Sequence, residues 1–84
     1  MLTVHVRFFA SLREALGASE SVQIPPGSTV GAVRDSLIAR GGRHADVLAR
    51  GRAVRCSLNQ QMCDDAAQLD EGAELAFFPP VTGG

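Results

Sequence analysis

The C-terminal run contains the residues whose types and spacing indicate chemistry: Phe77-Phe78-Pro79-Pro80-Val81-Thr82-Gly83-Gly84. Proline cannot donate a ladder hydrogen bond and favours the extended polyproline conformation, so the six residues from Pro79 would span up to about 20 Å. Gly83 and Gly84 have no Cβ and could enter a channel too narrow for other residues. The reactive group would be the α-carboxylate of Gly84, which is ionised at neutral pH and is a poor electrophile until it is activated.

A terminal Gly-Gly by itself is typical of a frayed chain end. Here the aromatic pair, the proline pair and the glycine pair form a continuous transition from strand to spacer to end, and this order favours a functional tail. We therefore divide the chain into a folded domain over residues 1–78 and a flexible tail over residues 79–84.

The two cysteines, Cys56 and Cys63, are a second group with potential chemistry. Nothing in the sequence indicates secretion, so the expected state is a pair of reduced thiols that pack in the core. His5 and His44 are far away in sequence, and no spacing matches a zinc site, so we predict that no metal is bound.

Composition restricts the function further. The chain has 84 residues, enough for one domain, with 45% hydrophobic and 20% charged residues and a net charge of −1. All 8 basic residues are arginines that are scattered along the chain, which argues against nucleic acid as a partner. No apolar run approaches the roughly 20 residues of a membrane span, and the N-terminus lacks a signal-peptide pattern. We expect a cytoplasmic protein with no membrane partner.

The first half of the chain predicts two strands and two helices. Residues 2–8 and 20–24 alternate apolar with polar side chains, as half-buried strands do. Residues 10–17 predict a short helix, and the main helix should begin at Ser28 or Thr29, either of which is a good N-cap, with Gly31 as a weak point in its first turn. Residues 43–50 indicate a loose helical turn with an exposed His44.

The second half predicts three more strands. Residues 53–58 alternate, with Val54, Cys56 and Leu58 expected in the core; residues 59–61 form a turn into a short strand at 62–63, and residues 74–78 form the last strand. The expected fold is α+β, with one main helix across one face of a mixed sheet of four to five strands.

Both the first and the last strand end in Phe-Phe, with Phe8 and Phe77 expected to face the core. Phe9 either faces outward or bends back into the core, and the first strand alone favours neither. If the two strands are parallel neighbours, Phe9 and Phe78 lie together on the uncovered face, near Met62. An exposed apolar patch of this kind at the base of the tail is typical of a docking surface.

With these residues in place, the chain resembles the small, sulfur-carrying subunits of molybdopterin synthase, which have a ubiquitin-like β-grasp fold. The resemblance spans essentially the whole chain and is carried by Phe8-Phe9-Ala10-x-x-Arg13-Glu14, Asn59-Gln60 and the terminal run from Phe77 to Gly84.

The resemblance implies a chemistry for the tail. A ubiquitin-activating-like adenylyltransferase would use ATP to adenylate Gly84, and a sulfur donor protein would convert the adenylate into a thiocarboxylate. The tail would then enter the active site of the large synthase subunit and give its sulfur to cyclic pyranopterin monophosphate. Two sulfurs complete one dithiolene, which suits a heterotetramer. This chain would bind no permanent cofactor.

The resemblance also implies roles for individual residues. Phe9, Met62 and Phe78 would anchor the partner, Arg13 could contact it near the tail, and residues 79–82 (Pro79, Pro80, Val81 and Thr82) would lie in its channel. The chain has no lysine, metal cluster or phosphate-binding glycine loop, so partners would supply the catalytic groups. Two alternatives stay open: a carrier of the same fold for thiamine or tRNA thiolation or for protein modification, and a plain interaction module with a passive tail.

Overall fold

The computed structural model describes residues 1–80, which form one mixed five-stranded sheet and three helices. The expected α+β, β-grasp architecture is confirmed. In chain order the elements are β1 (Leu2–Phe8), α1 (Ala10–Leu16), β2 (Ser19–Ile24), α2 (Val30–Ile38), α3 (Gly42–Leu48), β3 (Arg55–Leu58), β4 (Gln61–Cys63) and β5 (Glu74–Phe78).

The sheet has the order β2-β1-β5-β3-β4, so the first and last strands lie side by side near its centre. They run parallel, with Phe8 opposite Phe77, while the β1–β2, β3–β5 and β3–β4 pairs are antiparallel. The predicted parallel pairing of the two Phe-Phe strands is therefore confirmed.

Alternation along the strands puts one face of the sheet under the helices. Phe8 and Phe77 are 1% exposed, and their rings stack with centroids 6.3 Å apart at 19°. Residues from the strands, from all three helices and from the segment between β4 and β5 complete this core: Val4, Val6, Leu12, Val22, Ile24, Val30, Val33, Leu37, Leu48, Leu69 and Leu75. Three residues on β3 and just before it were expected in the core. Cys56 is buried, but Val54 and Leu58 are only half-buried, because β3 lies next to the edge strand β4.

Of the two predicted N-caps of helix α2, the structure uses Thr29, whose side chain accepts a hydrogen bond from the backbone N–H of Ala32 at 3.2 Å. Gly31 is unfavourable for helix formation, but it has a packing role. Its backbone N–H donates to the Asp65 carbonyl at 3.0 Å, and a Cβ at position 31 would lie 3.1 Å from the Asp65 Cβ. The glycine therefore allows the loop after β4 to approach the helix.

The expected loose turn over residues 43–50 is instead a regular helix, α3, that buries Leu48 completely. The prediction of an exposed His44 was also wrong. Its side chain is 23% exposed, with Nε2 3.4 Å from a Glu20 carboxylate oxygen. Glu20 also pairs with Arg40, so a polar cluster between β2 and the end of the helical segment covers the imidazole.

Among residues 1–80, none of the helices has the length and hydrophobicity needed to cross a membrane.

Candidate functional site

Phe9, Met62 and Phe78 lie on the face of the sheet that the helices leave open, and we call these three residues the outer patch. Phe9 is 39% exposed and Met62 is 60% exposed, whereas Phe78 is half-buried. The structure therefore turns Phe9 outward, while Phe78 is less exposed than the sequence predicts. Phe78 stands opposite Arg55 on β3. Because directly opposite residues share a face, Arg55 also lies on the open face, beside Phe78.

Backbone contacts hold Phe9 at the end of β1. Its N–H donates to the Phe77 carbonyl at 3.2 Å, and its carbonyl accepts from the Leu12 N–H at 3.1 Å as α1 begins. Ala10, the next residue, has a φ of 53°, a left-handed conformation that is unfavourable for alanine. The chain thus turns sharply after the ring, and Phe9 stays extended (φ −126°, ψ 157°) and outward-facing.

One charged side chain lies over the Phe9 ring, and a second pairs with it. The Arg7 guanidinium carbon lies 5.3 Å from the ring centroid, a cation–π distance, and an Arg7 nitrogen is 3.7 Å from a Glu74 oxygen. The outer patch therefore has a polar border, as protein interfaces commonly do.

Met62 is positioned by a two-residue hairpin turn between β3 and β4. Asn59 and Gln60 both have positive φ values, 50° and 72°, as a type I′ turn requires. Asn59 also exchanges hydrogen bonds with Glu74, its N–H donating at 2.8 Å and its Oδ1 accepting at 3.0 Å. These bonds tie the turn to the start of β5, so the Asn59-Gln60 pair has a structural role.

The base of the tail lies against the body of the domain. Pro79 and Pro80 are half-buried and line a groove of about 290 Å³, so the first two residues of the predicted tail pack against the domain. The groove is completed by residues of α1, α3 and the segment before β3: Ser11, Leu12, Val47, Arg52, Ala53 and Val54. The predicted site residues Val81, Thr82, Gly83 and Gly84 lie outside the described residues.

Arg13, predicted to contact a partner, is exposed in the last turn of α1. This helix starts next to Phe9, which places Arg13 on the element that borders the outer patch. Its role in binding stays a prediction.

Arg34 is a buried residue that the sequence interpretation missed. It is 6% exposed; its Nε donates to the Leu48 carbonyl at 2.7 Å, and its Nη2 donates to the carbonyls of Ala49 at 2.7 Å and Arg52 at 3.2 Å. These bonds hold the segment that forms one wall of the groove. The available signal was its spacing, because Arg34 is four residues after Val30, on the apolar face of α2.

Arg50 joins α2 to the loop after β4. It donates to Asp35 at 2.9 Å and to the Gly31 carbonyl at 3.1 Å, and it pairs with Asp65. The hydrogen bond from Arg50 holds the pKa of Asp35 below its usual value, and the two carboxylates raise the pKa of Arg50. This exposed cluster fastens the loop to the helix.

The two thiols lie together, which the sequence does not show. Cys56 stands opposite Cys63 on β3 and β4, and their sulfur atoms are 3.3 Å apart. Burial, with a contribution from Cys63, raises the pKa of Cys56 to about 12. Both residues line a cavity of about 520 Å³.

Comparison with known proteins supports the fold described above and identifies the family of the chain. Over 82 residues the chain is 37% identical to the "Molybdopterin synthase sulfur carrier subunit" of Haemophilus influenzae, covering 96% of this chain and 99% of the relative. It is 33% identical to "Small archaeal modifier protein 3" of Haloferax volcanii, covering 99% and 100%. The solution structure of the Haloferax volcanii HVO 2177 protein superposes with a TM-score of 0.82 at 33% identity, covering 99% of this chain and 87% of that one.

The family model described as "ThiS family" matches residues 6–84, from the middle of β1 to the second terminal glycine. This range includes the outer patch and the whole proline and glycine run. The chain therefore belongs to the ThiS family.

Proposed function

We propose that this chain is the sulfur-carrier subunit of a molybdopterin synthase. The observation that carries the proposal is the family match through Gly83 and Gly84, together with full-length similarity to a curated sulfur-carrier subunit. The geometry supports it, because an apolar patch lies on the open face of the sheet, where the strand that leads into the tail ends.

The chemistry belongs to the Gly84 carboxylate. An adenylyltransferase transfers AMP from ATP to a carboxylate oxygen and releases pyrophosphate, which makes the carbonyl carbon electrophilic. A persulfide on the sulfur donor protein then attacks that carbon, and AMP leaves with the oxygen. A thiol cleaves the resulting acyl disulfide, which releases the thiocarboxylate and leaves that thiol and the donor's cysteine joined as a disulfide. Glycine suits both steps, because the absence of a Cβ lets the partner's groups approach the carbonyl closely.

The large synthase subunit supplies the active site for the second half of the reaction. The outer patch docks on it, the tail beyond Pro80 passes into its channel, and the thiocarboxylate gives its sulfur to cyclic pyranopterin monophosphate. A dithiolene contains two sulfurs, so two loaded carriers serve each product. A cytoplasmic location belongs to the same proposal, since free thiols such as Cys56 and Cys63 are typical of a reducing compartment.

The test is reconstitution with defined proteins. After incubation with the adenylyltransferase, ATP and the sulfur donor, the intact mass should rise by about 16 Da, as one oxygen is replaced by sulfur. The loaded protein with the large subunit should then convert the cyclic pterin into the dithiolene product. Failure to convert the pterin, combined with support of thiazole formation, would assign the carrier to thiamine synthesis instead.

Two tail variants separate a carrier from a passive ligand. Deleting Gly84, or adding one residue after it, should abolish sulfur transfer and leave binding to the large subunit largely intact, because docking rests on the outer patch. Retained sulfur transfer in either variant would contradict the carrier mechanism.

A second candidate is a protein modifier, which the 33% identity to a small archaeal modifier protein favours. In this case the activated Gly84 would form an isopeptide bond with a lysine of another protein. This chain contains no lysine, so it could not be its own acceptor. Lysine conjugates found by mass spectrometry in the native cell, without any thiocarboxylate form, would favour the modifier over the sulfur carrier.

A further inference from the structure

We propose that Cys56 and Cys63 form a reversible intrachain disulfide across the β3–β4 hairpin, which makes this pair a site of thiol oxidation by low-molecular-weight disulfides. The inference does not depend on the tail or on its proposed chemistry.

Strand register brings the two residues together. Cys56 and Cys63 are directly opposite on antiparallel strands. Opposite residues have Cα atoms about 4.5–5.5 Å apart, which lies within the 4.4–6.8 Å that disulfides span. The sulfur atoms are 3.3 Å apart, so closing the bond to about 2.05 Å requires a movement that side-chain rotation and small strand adjustments can supply.

The surroundings allow access from solvent. Both cysteines line the cavity of about 520 Å³, whose walls also carry Arg55, Asp64 and Asp65. Cys63 is half-buried whereas Cys56 is 7% exposed, so an incoming reagent reaches Cys63 first. Because burial raises the pKa of Cys56, this thiol is protonated at neutral pH and must lose its proton before it can attack, so the first attack falls to Cys63.

The exchange balances without a metal or a cofactor. The Cys63 thiolate attacks one sulfur of a small disulfide RSSR, forming a mixed disulfide and releasing RS⁻. Cys56 then loses its proton, and its sulfur attacks Cys63 Sγ and displaces the second RS⁻. The two protein thiols are oxidised by two electrons, RSSR is reduced, and the two released thiolates take up the two protons as RSH.

The experiment uses the full chain and glutathione. The protein is equilibrated in buffers of glutathione disulfide and reduced glutathione, quenched with acid, alkylated with N-ethylmaleimide and weighed intact. We expect the oxidised monomer to take up no N-ethylmaleimide and to weigh about 2 Da less than the reduced protein before alkylation. The Cys63→Ser variant, which changes the less buried partner, should keep its remaining thiol or carry a single glutathione adduct.

A parallel series in about 6 M guanidinium chloride tests whether the folded structure favours the disulfide, or whether random collisions of the two thiols in an unfolded chain are enough to form it. Because the fold holds the sulfurs in contact, the intrachain disulfide should be at least about tenfold more favourable in the folded chain than in the denatured one. The proposal is overturned if the folded chain keeps both thiols in a buffer that oxidises the denatured chain. It is equally overturned if the disulfides that form link two chains.

Discussion

Phe8 and Phe77 lie on the helix-covered face of the sheet, whereas Phe9 and Phe78 follow them by one residue and lie on the open face. The first two rings are 1% exposed and stack on each other. On the open face Phe9 is 39% exposed and Phe78 is half-buried. The same dipeptide therefore serves two purposes, because successive side chains of a strand point to opposite faces. One ring of each pair stabilises the domain, and the other is available to a partner.

The largest expected effect tests the covered face. Phe77→Ala removes a fully buried ring and should lower the free energy of unfolding by about 3–5 kcal/mol, whereas Phe78→Ala should cost less than half of that. Urea unfolding followed by circular dichroism measures both variants. If Phe77→Ala does not fold, Phe77→Leu offers a milder change, with an expected loss of about 1–2 kcal/mol. Equal losses at positions 77 and 78 would mean that the two faces do not differ in this way.

The open face should respond in binding. Phe9→Asp and Phe78→Asp place a charge in the outer patch and should raise the Kd for the large synthase subunit at least about 30-fold, which is about 2 kcal/mol. Titration calorimetry gives the Kd. Gln23→Asp, at the far end of the same face, is the matched control and should leave the Kd nearly unchanged. An unchanged Kd for both phenylalanine variants would rule out the outer patch as the docking surface.

A smaller effect tests the contact between Gly31 of α2, on the covered face, and Asp65 of the loop after β4. In an ordinary helix, glycine to alanine increases stability by about 1 kcal/mol. Gly31→Ala should instead lower it by about 1 kcal/mol, because the new methyl group would meet the Asp65 Cβ at 3.1 Å and its carbonyl oxygen at 3.3 Å. Thermal melting should show a decrease in Tm of about 4–8 °C. The control Ala32→Gly, at an exposed position in the same helix, should show the usual cost of glycine. A gain in stability for Gly31→Ala would show that the loop contact is loose.

The smallest expected effect concerns Arg50, which fastens the same loop from the solvent side. Arg50→Met should lower the Tm at pH 7 by at most about 5 °C, since exposed ion pairs contribute little. The pKa of Asp35 is lower in the folded state than its ordinary value of 3.8, so its contribution is present above pH 3.8 and is lost as the pH falls through the lower folded value. The difference in Tm between wild type and variant should therefore shrink below about pH 4. A difference that stays constant down to pH 2 would mean that Arg50 acts through packing alone.

Most of the fold could be predicted from sequence because its periodicities are regular. The alternation in β1 and β5 predicts both strands with the bounds that the structure has, and the cap at Ser28 or Thr29 places the start of α2 to within one residue. Helix α3 was underestimated, because its seven residues begin with Gly42, directly after Gly41, have a weak amphipathic pattern, and gain stability by burying Leu48 in the core.

The candidate site could be predicted in part. The position of Phe78 on the open face followed from strand parity once β1 and β5 were placed side by side, whereas the first strand alone left the direction of Phe9 open and the structure turned it outward. The partial burial of Phe78 and of the two prolines could not be predicted, because it depends on how closely neighbouring strands and helices approach them. The involvement of Arg34 was missed for the same reason, since its partners are carbonyl groups 14 to 18 residues away in sequence.

The sequence by itself determined which face each strand residue occupies and placed a run of two prolines and two glycines after a Phe-Phe strand end, because both features depend on local geometry and residue type. Only the tertiary structure decided the contacts between elements. It brought Cys56 into contact with Cys63, brought Asp65 close to Gly31, and placed Pro79 and Pro80 against the body of the domain. Such contacts depend on strand register and helix placement, which arise from the packing of the whole core.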